Sequence, residues 1–220
     1  MSDWIELFNG RNFDGWASKR EHQWRVAGGV RLHPENAKLF AIEPGTGIMV
    51  NGDDGRTVDI YSVQEHGSCE LHLEFCVAQG SNSGVYLMGQ YEIQILDSWG
   101  VPDSKLGFVD CGGIYARWVE ETKTSYDGAA PRTNASRSPG EWQSFDVLFH
   151  AAKFDAAGNK IANARFERVL HNGVVVIENF ACTGPTRGAW GEVDRLRGPL
   201  RLQGDHGPVA YRNVRMRLLD

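Results

Sequence analysis

The sequence predicts an all-β fold, an antiparallel sandwich or barrel, and three observations carry that expectation. Apolar residues recur with a period of two rather than 3.6. Turn dipeptides separate the alternating runs, among them Asn9-Gly10, Asp14-Gly15, Asn51-Gly52, Asp54-Gly55, Asp127-Gly128 and Asn172-Gly173. No long helical pattern alternates with the strands, which argues against a parallel α/β arrangement. Only residues 101–110 and 187–197 leave room for a turn or two of helix. Pro102 and Gly107 interrupt the first, and Gly188 and Gly191 the second.

Each strand follows from its own alternation. Leu71, Leu73, Phe75 and Val77 oppose Glu70, His72 and Glu74, so one face is set for a core. Val85 and Leu87 oppose Tyr86 and Met88, and Ile93 and Ile95 oppose Glu92, Gln94 and Leu96. Phe145, Val147 and Phe149 oppose Asp146, Leu148 and His150, and Leu200 and Leu202 oppose Arg201 and Gln203. Asn172-Gly173 joins Arg168–Leu170 to Val174–Ile177 and is the clearest hairpin. The polar stretch 119–141, with Pro131 and Pro139, reads as a loop over an end or face of the sandwich. Trp16, Trp24 and Trp142 are expected in the core. With no repeat, low-complexity tract or linker, residues 1–220 read as one domain.

Composition excludes some functions. There are 28 acidic residues against 23 Lys and Arg, a net charge of −5, with no basic block. That is not the electrostatic footprint of a nucleic-acid binder. No apolar run approaches the roughly 18 residues that a membrane-spanning helix needs. Met1-Ser2-Asp3-Trp4 shows no signal peptide, so a cytoplasmic location is expected, or an exported one if a leader has been removed. Cys69, Cys76, Cys111 and Cys182 form no CxxC pair, and the first two sit at opposite ends of one strand. Reduced structural thiols are expected. Composition does not fix the oligomeric state.

The sharpest chemical constellation is Tyr91-Glu92-Ile93-Gln94-Ile95-Leu96-Asp97-Ser98-Trp99. With Ile93 and Ile95 inward, Glu92 and Gln94 share the opposite face. A bulge between Gln94 and Asp97 would bring Asp97 to the same side. Two carboxyls and an amide there suit acid–base work or a hard cation, or else form a solvated strand face with a turn-capping Asp. Asn82, Gly84 and Tyr86 share one face of Asn82–Leu87, and Gly84 leaves room above the sheet. Tyr115 and Arg117 share a face opposite Ile114 and Ala116, and the Arg is suited to hydroxyls or a carbonyl oxygen, or to pairing with Glu92. Arg201 and Gln203 lead into Asp205-His206, which reads as an oriented base or as a structural turn. Trp99 and Trp118 read as core or as sugar-stacking platforms. Glu70, His72 and Glu74 have metal-ligand chemistry, but a solvated charged face is the simpler reading.

Together these segments resemble the 3-keto-disaccharide hydrolase family, also called DUF1080. The resemblance begins at Leu7-Phe8-Asn9-Gly10-Arg11-Asn12-Phe13-Asp14-Gly15-Trp16. It runs through Gly80-Ser81-Asn82-Ser83-Gly84-Val85-Tyr86, Tyr91–Asp97, Gly113-Ile114-Tyr115 and Pro139–Gln143 to Pro199–Gly207 and Tyr211-Arg212-Asn213-Val214. One departure is Gly204, which intervenes between Gln203 and Asp205. The resemblance implies a concanavalin A-like jelly-roll β-sandwich of two antiparallel sheets and a carbohydrate substrate. Glu92, Gln94 and Asp97 also match the spacing of the catalytic strand in retaining β-glucanases on this fold, but the central acid is here an amide. That weakens a hydrolase reading that needs two carboxyls.

The family activity implies a different route, in which a C3 ketone makes the C2 hydrogen acidic and the aglycone is eliminated before water adds. His206, oriented by Asp205, or Asp97 would then be the base. Glu92, with Gln94 and a divalent metal on Glu92 and His206, would grip the sugar oxygens. Asn82, Tyr86, Tyr115, Arg117, Gln203 and Trp99 would hold the ring. The competing readings are a conventional β-glycosidase and a non-catalytic carbohydrate-binding module.

Overall fold

The computed structural model describes residues 3–219. It is a jelly-roll sandwich of two antiparallel sheets. The larger has eight strands, seven of them in the order Val174–Cys182, Ala164–His171, Gln143–His150, Cys69–Val77, Val209–Leu218, Asn36–Val50 and Arg25–His33. Ile5–Glu6 adds to it by pairing with Val209–Leu218. The smaller sheet runs Trp16–Ser18, Ile60–His66, Gly198–Leu202, Asn82–Leu87 and Tyr91–Leu96. Sequence neighbours sit in different sheets, as in Cys69–Val77 and Asn82–Leu87, so the chain crosses the sandwich repeatedly.

The alternation in the sequence becomes one shared core. Leu71, Leu73, Phe75, Phe145, Val147 and Phe149 of the larger sheet meet Val85, Leu87, Ile93, Ile95, Leu200 and Leu202 of the smaller. Tyr91 and Phe149 face each other across the layers with ring centroids 5.4 Å apart. Truncating one such fully buried side chain to Ala costs about 2–5 kcal/mol. Trp16 and Trp24 lie in this core, and the Trp16 indole N–H donates to the Leu7 carbonyl at 2.7 Å. Trp142 instead packs on a second apolar cluster, with Ala27, Phe40, Ile48, Val50, Cys76, Ala78 and Ala210. The four cysteines are buried and unbridged.

At the Asn172-Gly173 hairpin, His171 pairs with Val174, and both turn residues have positive φ, 51° and 79°. This is the I′-like geometry that matches strand twist. Two expectations change. Residues 187–197 hold no helix, and 101–110 hold only the 3₁₀ turn Asp103–Lys105. The stretch 119–141 is not all loop, because Thr124–Tyr126 pairs with Arg117–Val119. Asn36–Val50 is a 15-residue strand despite Pro44, Gly45 and Gly47, whose turn chemistry hides it in the sequence. Its partner passes so close at Gly28 that a Cβ there would lie 2.7 Å from the Pro44 carbonyl oxygen. Glycine at that crossing is what permits the pairing.

Candidate active site

The outer face of the smaller sheet carries a pocket built in rows. Cross-strand register places Tyr86 opposite Glu92, and Arg201 opposite Tyr86. The next row sets Gly84 opposite Gln94, with the Gln203 backbone N–H donating to the Gly84 carbonyl at 3.0 Å. A third row has Asn82, whose N–H donates to the His206 carbonyl at 3.3 Å. Because side chains alternate, the residues between these rows point into the core and these point outward.

Asn82, Tyr86, Glu92, Gln94, Tyr115, Gln203 and His206 thus line one cavity of about 330 Å³, with Arg187 and Gly188. This is the low end of the range of roughly 300–1,000 Å³ for small-molecule sites. The segment from Pro185 to Gly191 covers one side of the face. Its Thr186 hydroxyl accepts from the Glu92 N–H and donates to the Gln90 carbonyl, both at 3.1 Å. Arg201 donates to the Gly188 carbonyl at 2.8 Å.

Glu92 is the electrostatic centre. It is 3% exposed. Burial pushes its carboxyl up to about 8, against the opposing pull of the Tyr86 hydroxyl and the Arg201 charge, and nearby Asp59 adds to the rise. A carboxyl held this way is protonated at neutral pH and can act as an acid. Burial also raises the Tyr86 phenol well above its usual value. Arg201 is 3% exposed, with its guanidinium 3.6 Å from the Tyr86 ring centroid and 3.6 Å from an Asp59 carboxylate oxygen. Burial raises the Asp59 carboxyl in turn, opposed chiefly by Arg201.

His206 stands at the solvent side, half exposed, its Nδ1 hydrogen-bonded to the Asp205 carboxylate. That bond orients the ring. The Gln203 side-chain oxygen is buried without a hydrogen-bond partner, an acceptor free for a ligand hydroxyl. Gly204 fits where no side chain would, since a Cβ there would lie 2.5 Å from the Val58 carbonyl oxygen. Its N–H donates to Asp59 at 3.0 Å, and the Asn51 side chain donates to its carbonyl at 3.0 Å. The extra residue is therefore a packed link that delivers Asp205-His206 to the pocket.

Three expected site residues lie elsewhere. No bulge returns Asp97 to the face, because pairing runs unbroken to Asn82–Leu96 and puts Leu96 outward instead. The Asp97 carboxylate caps the Gly80 N–H at 2.8 Å, the turn-capping alternative. Trp99 is 59% exposed and outside the cavity lining. Arg117 donates to the Thr183 hydroxyl at 3.0 Å and stacks on Tyr126, not on Glu92. The chain leaves regular pairing between Ile114 and Arg117, so the alternation from Tyr115 does not carry through. The space at Gly84 is also used differently, since a Cβ there would sit 2.1 Å from a Glu92 carboxylate oxygen. The missing side chain makes room for the Glu92 carboxyl.

Arg201 was legible as the neighbour of Gln203 on the same face. Arg187, Gly188 and Thr186 sit in a segment with no periodicity, so nothing in the sequence marked them. Two clefts of about 600 Å³ each flank the cavity. One is lined by Lys19, Arg56, Asp59, Trp190 and Asp205, the other by Arg117, Trp118, Glu120, Tyr126 and Arg187. Neither holds a histidine.

A divalent metal is expected on Glu92 and His206. Glu92 and His206 share the cavity, but among the described residues no group of three or more His, Cys, Asp or Glu is placed to hold a metal ion. A zinc site takes at least three protein ligands, whereas a hard cation such as Mg²⁺ is held by one or two carboxylates with water and substrate oxygens. The Glu70, His72 and Glu74 face is occupied by ion pairs, with His72 2.7 Å from Asp146, Glu74 2.7 Å from Arg212, and Glu70 against Arg217. Among the described residues no helix is long and apolar enough to cross a membrane.

The comparisons agree with this architecture. A protein of Parabacteroides distasonis classed by name as a glycosyl hydrolase matches with a TM-score of 0.67 and 26% identity, over 99% of this chain and 84% of its own. A second from the same organism matches at 0.60 and 21%, over 99% and 100%. Carbohydrate binding module CBM66 from Bacillus subtilis matches at 0.50 and 11%, over 94% and 95%, a likeness of fold alone. Comparison with the curated proteins finds no significant relative. The family profile of the 3-keto-alpha-glucoside-1,2-lyase-like domain matches residues 3–217. The protein is a carbohydrate-active enzyme, and its chain belongs to the 3-keto-alpha-glucoside-1,2-lyase-like domain family.

Proposed function

We propose that the protein cleaves the glycosidic bond of 3-keto-glycosides by elimination across C1 and C2, followed by hydration. The observation that carries this reading is the pairing, in one cavity, of a buried acid with a carboxylate-oriented histidine. His206 takes the proton from C2, and the electron pair passes to the C3 oxygen as an enolate. The enolate re-forms the C3 ketone, a C1–C2 double bond forms, and the C1–oxygen bond breaks. Glu92 gives its proton to the departing oxygen. Water then adds at C1 and a proton returns to C2, leaving a free 3-keto sugar. Asn82, Gln94 and Gln203 hold the ring hydroxyls, and Tyr86 and Tyr115 frame it. The C3 ketone must come from an oxidation of the sugar hydroxyl by another enzyme.

A conventional glycosidase on this fold would need a second carboxyl at set distance across the bond. Glu92 is the single carboxyl among the cavity-lining residues, and Gln94 is neutral. The test is incubation with an aryl 3-keto-glucoside and with its unoxidised parent. Aglycone release from the keto form alone is expected. Release from the parent at a comparable rate would support the conventional glycosidase, and binding of either sugar without turnover would support a binding module.

A further inference from the structure

We infer that Arg187 is the catalytic residue that stabilises the C3 enolate oxygen, a role that rests on the elimination reading above. Arg187 lines both the cavity and the adjoining cleft, so it stands at the border between them. Its backbone is fixed, with its N–H donating to the Ala116 carbonyl at 2.9 Å, beside the Thr186 clamp on the Glu92 strand. Its guanidinium lies 4.0 Å from the Trp118 ring centroid. The stacking holds the plane in place and leaves its N–H edge for hydrogen bonds.

What sets Arg187 apart is that, beyond the Trp118 ring, its guanidinium is uncommitted. Among the described residues no carboxylate lies within ion-pairing distance of it and no acceptor takes its side-chain hydrogens. The carboxylate that feels its charge, Glu120, is engaged by the Trp118 indole N–H and Lys123. Arg201, the other arginine at the site, is committed to Asp59, the Tyr86 ring and the Gly188 carbonyl. When the C2 proton goes to His206, the electron pair arrives on the C3 oxygen, and that charge must meet a donor. Arg187 is the one permanent cation among the lining residues, and its donors are open.

The test separates enolate formation from loss of the leaving group. The probe is a 3-keto-1,5-anhydroglucitol, which has no aglycone, incubated in D₂O while exchange of the C2 hydrogen is followed by NMR. The wild-type protein is expected to exchange it. Arg187→Met and Arg187→Ala should lose roughly 10²–10³-fold in exchange, and as much in kcat on the aryl 3-keto-glucoside, with KM nearly unchanged. Arg187→Lys should lose less, and added guanidinium should restore part of the Arg187→Ala activity. Wild-type exchange rates in Arg187→Ala would overturn the assignment, as would a loss confined to KM that varies with the aglycone. Failure of the wild-type protein to release aglycone from the keto substrate would instead overturn the elimination reading itself, and this assignment with it.

Discussion

Two strand faces with nearly the same sequence pattern have opposite fates. Glu70-Leu71-His72-Leu73-Glu74 and Glu92-Ile93-Gln94-Ile95 each alternate an acid and a polar residue with apolar ones. On the larger sheet the acids reach Arg217, Arg212 and Asn213 and stay in partial contact with water. On the smaller sheet Glu92 is buried beneath Tyr86 and the 185–191 segment, and burial outweighs its partners. A paired carboxylate at the surface contributes little. At Glu74 partial burial is outweighed by the Asn213 and Arg212 hydrogen bonds, which hold the carboxyl below its usual value. A covered one becomes an acid that works near neutral pH. What separates the two faces is the cover, not the strand.

The largest break in that comparison is expected from removing the acid. Glu92→Gln should fold and lose about 10²–10⁴-fold in kcat on an aryl 3-keto-glucoside with a poor leaving group, whereas Glu70→Gln should stay within about twofold. Equal losses in the two variants, measured by steady-state kinetics, would place the chemistry elsewhere. His206→Ala should cost about 10²–10³-fold, and His72→Ala nothing measurable. Asp205→Asn should cost less than removing the ring, because it alters the orientation and charge of the base without deleting it.

The pH dependence sharpens the same contrast. Activity should fall as pH rises through about 8, where Glu92 loses its proton. Stability should follow with a definite sign. The folded state holds this proton more tightly than the unfolded chain, whose carboxyl titrates near 4.5. The stabilisation is therefore full below the unfolded value and is lost as pH rises to about 8, at roughly 1.4 kcal/mol per unit. Glu92→Gln should flatten that slope in denaturant titrations between pH 5 and 9, and an unchanged slope would refute the burial argument. The smallest effect is expected at Gly84. Gly84→Ala places a methyl against the Glu92 carboxyl and should shift the alkaline limb of the activity profile downward by displacing the acid toward water.

Much of the frame was legible in the residues. The period of two at Leu71–Val77, Val85–Leu87, Ile93–Ile95 and Phe145–Phe149 named the buried faces, because a one-residue slip would turn each of them to solvent. The same alternation put Glu92 with Gln94, and Asn82 with Tyr86. It also offered Arg201 beside Gln203. It failed at Asp97 and Arg117, where the chain leaves regular pairing and side chains follow local hydrogen bonds instead.

The sequence by itself determined which residues face out of each strand, since pleating is a property of the local backbone. The tertiary structure decided which outward face became a site. Register brought Tyr86, Glu92 and Arg201 into one row, and an aperiodic segment carrying Thr186, Arg187 and Gly188 closed over it. Burial, and with it the acidity of Glu92, depends on groups distant in sequence. No local pattern encodes a cover supplied by residues nearly a hundred positions away.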